Sequence, residues 1–212
     1  MNNALIASIG KRRTQYALGD KLPFSQSDTA ELVKQAVKLA PSSFNSQSSR
    51  AVVLFGEHSR ELWDAVESAL RKIVPADAFA ATKAKIDSFA AGAGTVLFFE
   101  DQDVVKGLQE NFASYADNFP VWSEQSSGMA QFAVWSALAN AGIGASLQHY
   151  NPLIDAEVAR KWGIPASWKL RAQMPFGSNE KPFGAKTYMD DAQRFMVFTA
   201  AEQPQEALRK CA

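Results

Sequence analysis

The chain has 212 residues, with 22 Lys plus Arg against 22 Asp plus Glu and a formal net charge of zero. That length allows a sizeable core in one large domain or two small ones, and the lack of a basic excess argues against nucleic acid or an anionic membrane surface as partner. No apolar run is long enough to span a bilayer, no signal-peptide core is evident, and the single cysteine, Cys211, cannot form an internal disulfide. A cytoplasmic, reduced setting is therefore the expectation.

In chain order, Leu5, Ile6, Ile9 and Tyr16 predict a first helix within residues 3 to 18, broken or ended near Gly10 or Gly19. The basic-hydroxyl run Lys11-Arg12-Arg13-Thr14 lies inside this stretch. Asp28, with Glu31 at capping-box spacing, opens an amphipathic helix carrying Leu32, Val33, Ala36, Val37 and Ala40 on one face. Pro41-Ser42-Ser43-Phe44-Asn45-Ser46-Gln47-Ser48-Ser49-Arg50 follows, and Ala51–Phe55 reads as a buried strand. Ser59 opens a helix that runs to Pro75, and residues 76 to 94 predict another.

Thr95–Phe99 is a second strand ended by Glu100-Asp101, and residues 104 to 120 predict a helix closed by Pro120. Residues 128 to 141 are almost uncharged, as suits a central or subunit-interface helix. Ile143–Leu147 predicts a short strand, and Asp155 caps a helix ending at Trp162 before Gly163. Leu170, Ala172 and Met174 alternate with Lys169, Arg171 and Gln173, a strand with one wet face, and Phe195–Phe198 reads as the last strand. Helices outnumber strands and separate them unevenly, which points to an α+β or mixed α/β sheet flanked by helices, in a single domain over residues 1 to 212.

The hydroxyls and carboxamides of residues 42 to 49 suit a flat heteroaromatic ring with a polar edge; they equally suit a helix-to-strand turn. Guanidinium forks beside a hydroxyl at Lys11–Thr14 can hold a phosphate monoester or form a solvated basic surface. Two histidines, His58 and His149, with no Cys or carboxylate cluster at ligand spacing, make a metal site improbable. Phe112, Tyr115, Phe119, Trp122 and Trp135 could be core or could line an aromatic pocket, with Phe44 and Phe119 the residues to watch.

The order of three segments carries a resemblance: Arg12-Arg13-Thr14, then Pro41-Ser42-Ser43-Phe44-Asn45-Ser46-Gln47, then Gln148-His149-Tyr150-Asn151 followed by Pro152-Leu153-Ile154-Asp155. From about Ile9 to Phe198 the chain resembles the FMN-dependent nitroreductases, in particular their short bacterial and yeast-type subgroup. The resemblance implies a central, mainly antiparallel sheet flanked by helices, and a homodimer. It implies Arg12, Arg13, Thr14 and Lys186 at the FMN phosphate and ribityl chain. Ser42, Ser43, Asn45 and Gln47 would contact the flavin, usually from the partner subunit, and the loop with Gln148 and His149 would face its redox edge.

A backbone N–H is what the family usually supplies at that edge, so His149 and Tyr150 are weak candidates for side-chain catalysis. The second basic residue expected after Lys186 is replaced in Lys186-Thr187-Tyr188, leaving Arg194 as a substitute. The implied activity is ping-pong electron transfer from NADH or NADPH to a nitroaromatic, quinone or similar small-molecule acceptor, with the flavin supplying the redox chemistry. A non-enzymatic flavin-binding or regulatory protein on the same fold is the rival reading.

Overall fold

In the computed structural model residues 3–199 are described; Cys211 lies outside them. The contacts divide the chain into two units, Met1–Pro182 and Phe183–Ala212.

The first unit is built on two antiparallel strands, β3 (Gly94–Asp101) and β5 (Trp168–Asn179). β3, with the sequence GTVLFFED, is buried at every position. Alternate side chains serve opposite faces of the sheet. Val96 and Phe98 join one core, with Val33, Val134, Leu138, Ala172, Met174 and Phe176. Leu97 and Phe99 join the other, with Leu62, Trp63, Val66, Ile86, Phe89, Val158 and Leu170. The first core lies under α2 (Gln26–Leu39) and α6 (Phe119–Asn140), the second under α3 (Gly56–Leu70), α4 (Phe79–Ala90) and α7 (Asp155–Trp162).

β2 (Ser49–Phe55) pairs the outer edge of β3. β1 (Leu18–Gly19) and β4 (Gly144–Ala145) both pair β5, completing, among the described residues, an all-antiparallel five-stranded sheet. Gly177 lets β1 come that close, since a Cβ there would lie 2.0 Å from the Gly19 carbonyl oxygen. α1 (Ala4–Lys11) precedes β1, α5 (Gln102–Asn111) follows β3, and α8 (Asp191–Arg194) lies in the second unit. No helix of the described residues is long and apolar enough to cross a membrane.

Several expected boundaries move, each for a local reason. The wet face expected of β5 is confined to its start, where Lys169 is exposed and Arg171 partly so, while Gln173 is buried: a register shift opposite Phe98 and Phe99 leaves Arg171 as an extra residue, so Leu170 and Ala172, two apart, enter opposite cores. Pro120 opens α6 instead of closing the preceding helix, because its fixed φ suits the first helical turn. Glu100 and Asp101 stay within β3.

Ser59 lies inside α3, where its hydroxyl shares a 2.7 Å hydrogen bond with Thr95, which also accepts from the Trp63 indole. Asp155 is in the first turn of α7, after Ile154 at the cap position, and Gly163 ends that helix at φ 61°. Phe195–Phe198 form no strand; they are exposed, and among the described residues none of them pairs with a sheet edge.

α2 likewise begins before Asp28. Its N-cap is Ser25, whose Oγ accepts from the Asp28 N–H at 3.0 Å and donates to the Asp28 carboxylate at 2.7 Å. Ser25→Ala should lower stability by about 1 kcal/mol in urea unfolding, with Ser25→Asp restoring most of it; an unchanged midpoint for Ser25→Ala would assign the cap elsewhere.

Candidate functional site

The loop joining α2 to β2 is held in an unfavourable backbone form. Phe44, Asn45 and Gln47 have φ of 57°, 49° and 50°, a region that non-glycine residues enter only when their surroundings impose it. The restraints come from both ends. Ser42 accepts the Asn45 N–H on its carbonyl at 3.0 Å and the Gln47 N–H on its Oγ at 2.9 Å. Arg50 donates to the carbonyls of Gln47 and Ser49, and its other terminal nitrogen bonds Asp101 at 3.0 Å.

Under the loop lies Glu100, fully buried, with Ser48 Oγ (2.6 Å), Ser123 Oγ (2.7 Å) and Ser49 Oγ all donating to its carboxylate. Burial pushes the Arg171 guanidinium below its ordinary range, and the charge of Glu100 opposes that shift. Ser42, Gln47, Ser49 and Arg50 line a cleft of about 180 Å³ together with Val37, Lys38, Ser126 and Ala130. Ser43 is half-buried, and the Asn45 and Gln47 side chains are exposed.

The second part of the site forms along the far side of β5. Thr14 forms a parallel bridge with Ala145, and the Gln15 N–H donates to the Ala145 carbonyl at 2.9 Å. The basic segment is thereby laid beside β4. Arg12 stacks its guanidinium 4.4 Å over the Trp135 ring, and the Trp135 indole N–H is buried with no hydrogen-bond partner. Arg13 is half-buried beside it in sequence.

Gln173, fully buried in β5, clamps the loop: it exchanges both backbone hydrogen bonds with Gln148, accepts the Tyr150 N–H on Oε1 at 2.7 Å and donates to Asn151 at 3.3 Å. Gln148 turns its own amide inward onto Ser146, at 3.1 Å, while His149 stands exposed. Tyr150 is half-buried against Trp63, and burial, then the nearby Tyr16, raise its pKa above the ordinary value, which makes it a poorer proton donor.

Phe44 is the hub of an aromatic cluster. Its ring lies 4.9 Å from Phe112, 5.3 Å from Phe119, 6.0 Å from Tyr115 and 6.1 Å from Trp122, the last nearly parallel. The two sequence-based alternatives divide by residue: Phe119 is core, whereas Phe44, Phe112 and Tyr115 remain exposed. Lys186 and Arg194 belong to the second unit, where Lys186 sits 4.9 Å over Tyr188 and Arg194 5.4 Å over Phe195.

Glu100, Ser123, Arg50 and Gln173 were not among the sequence candidates. A Glu-Asp pair at the end of an apolar strand and a Gln within another were the available signals; their partners lie in other segments of the chain. Gln173→Met should keep the fold but free the Gln148–Asn151 loop, raising hydrogen exchange at the Tyr150 amide by at least about tenfold and lowering stability by about 1–3 kcal/mol; an unchanged Tyr150 exchange rate would show that the loop is held otherwise.

Residues 9–178 match the family model for the nitroreductase family. HBN1 of Saccharomyces cerevisiae, itself named as a nitroreductase, is 39% identical over 186 residues, 87% of this chain and 92% of its own length. The solved structure of the nitroreductase CinD from Lactococcus lactis in complex with nicotinic acid superposes with a TM-score of 0.86 at 53% identity, over 92% of this chain and all (100%) of CinD; complexes of CinD with chloramphenicol and 4-nitrophenol match at TM-scores of 0.85 and 0.84. A nitroreductase-like protein from Desulfovibrio desulfuricans in complex with FMN shares the fold at a TM-score of 0.68 and 17% identity, over 94% of this chain and 100% of that one. With the antiparallel sheet and the three motif segments in place, the chain belongs to the nitroreductase family of oxidoreductases.

Proposed function

We propose that the protein is an FMN-dependent oxidoreductase that takes electrons from NADH or NADPH and passes them to nitroaromatic, quinone or similar acceptors, as a cytoplasmic homodimer. The observation that supports this reading most is the pairing of Thr14 with Ala145, which lays the basic segment along β4, with Arg12 stacked on Trp135, whose buried indole N–H has no partner. Guanidinium, hydroxyl and indole donors fit a phosphate monoester, and the amide and hydroxyl groups of the serine loop fit a pyrimidinedione edge. FMN bound there supplies a two-electron carrier that accepts hydride from the nicotinamide and returns it to the acceptor in a ping-pong cycle.

The chain's own residues bind and orient. Arg12, Arg13 and Thr14 are assigned to the phosphate and ribityl chain. Ser42, Ser43, Asn45 and Gln47 are assigned to the ring, reached from the partner subunit. The clamp on Gln148 and Tyr150 holds the loop backbone at the reacting edge, so neither His149 nor Tyr150 is required as a proton donor.

Support for the dimer comes from α6, whose outer side leaves Val121, Met129 and Phe132 exposed on an almost uncharged helix. The exposed Phe44 cluster supports a flat aromatic acceptor, since stacked rings favour such partners. The CinD complexes with 4-nitrophenol and nicotinic acid are in keeping with that chemistry.

The deciding experiment is optical. The purified protein should be yellow, with a band near ~450 nm that NADH or NADPH bleaches and a nitro compound or quinone restores; a yellow protein that never bleaches would leave only flavin binding. Arg12→Ala and Arg13→Ala should each weaken FMN retention by about 1–3 kcal/mol, the range for a charge-assisted contact, and equal occupancy in parent and variants would remove both from the phosphate site. Phe44→Ala should raise the KM for a nitroaromatic roughly 2–10-fold, the equivalent of one lost ring contact, with flavin affinity unchanged. Sedimentation at low micromolar concentration should show a dimer, and a folded, flavin-loaded monomer would end the shared-site arrangement.

A further inference from the structure

Glu100 is a buried carboxylate with three serine hydroxyls on it, and the direction of those bonds has a chemical consequence. A carboxylate has no proton to give, so each hydroxyl must donate. Ser48 and Ser123 donate to Oε2 and Ser49 to Oε1. Each serine has a single proton, and all three are committed. Ser46, 3.5 Å from Ser48, can then only be the donor in that pair. Among the described residues Glu100 has no ion-pair partner, so these hydroxyls are its principal compensation.

Ser49 lines the cleft. With its proton turned inward onto Glu100, it presents only lone pairs to whatever the cleft holds. A hydroxyl free to rotate would take either a donor or an acceptor; this one is fixed in polarity, and its oxygen gains negative character from the carboxylate behind it.

We propose that Glu100 is a positioning residue that makes Ser49 an obligate acceptor, so that the cleft selects a ligand turning an N–H toward Ser49. Resting on the FMN reading, the donor is the imide N3–H of the flavin pyrimidinedione, a ring edge that alternates carbonyl acceptors with that one donor. Ser49 is then a binding residue that the motif comparison left unassigned, and Glu100 acts through it without touching the ligand. The arrangement requires Glu100, Ser49 and Ser123 together, drawn from β3, the start of β2 and α6.

The test compares FMN with 3-methyl-FMN, whose imide proton is replaced by a methyl group, in fluorescence titrations of flavin-free protein. The parent should bind FMN at least about tenfold more tightly, the equivalent of one good hydrogen bond lost together with its fit. Ser49→Ala should reduce that preference to within about twofold. Ser49→Thr, which keeps the hydroxyl in a strand position that tolerates β-branching, should retain it.

Glu100→Gln brings its own donor to the serines and lets Ser49 reverse, so it should lose the preference in the same way as Ser49→Ala. Should Glu100→Gln fail to fold, the Ser49 pair decides the matter. Tight FMN binding by the parent with no preference over 3-methyl-FMN overturns the proposal and leaves the flavoprotein reading standing. A preference that survives in Ser49→Ala overturns it as well, because the donor is then read elsewhere. A folded parent that binds neither flavin overturns both.

Discussion

Two strands buried on both faces set the terms for the rest of this structure. β3 throughout and β5 over residues 172–177 are buried, so every polar group they carry there must find a partner inside the protein or remain at a cost of several kcal/mol. Glu100 takes its partners from the serine loop and α6; Gln173 takes its partners from the loop after β4. Both loops that build the candidate site are thus tied to the centre of the sheet by the same requirement. The site is formed where buried polar residues of the core hold the loops above them.

This accounts for how the serine loop can hold three non-glycine residues at positive φ. Each such residue costs roughly 1–3 kcal/mol and persists only where its surroundings impose the conformation. Here Arg50 and Glu100 restrain the segment from the strand side, Ser42 from the helix side. Asn45 and Gln47 remain directed outward, exposed on a rigid base. A loop pre-set in this way loses little further entropy when a ligand docks, which is how a modest set of neutral hydrogen bonds can hold a cofactor.

The bulge at Arg171 plays a comparable part on the second strand. By moving Leu170 into one core and Ala172 into the other, it fills both faces with a sequence whose alternation would otherwise suit only one. It also leaves Arg171 only partly covered, ion-paired with Glu124 of α6.

The sequence by itself determined the strand cores and helix faces through local periodicity, and the binding motifs through the side chains they display. Val96 to Phe99 had to be a buried strand, and Ser42 to Gln47 had to be a polar connection between helix and strand. What the chain could not disclose locally was any assignment that depends on a distant partner. Pro120 reads as a terminator until α6 is seen to start with it, and Asp28 reads as a cap until Ser25 is seen to occupy the cap position. Phe195–Phe198 has strand composition, yet a strand exists only where an edge offers hydrogen bonds, and none of the described residues pairs with it. Arg50 looks like an ordinary strand-edge charge, and Glu100 like the end of a strand. Only the tertiary structure could make them the supports of the serine loop, because their hydrogen-bond partners are about fifty residues away along the chain and a buried polar group takes its meaning from what it meets on folding.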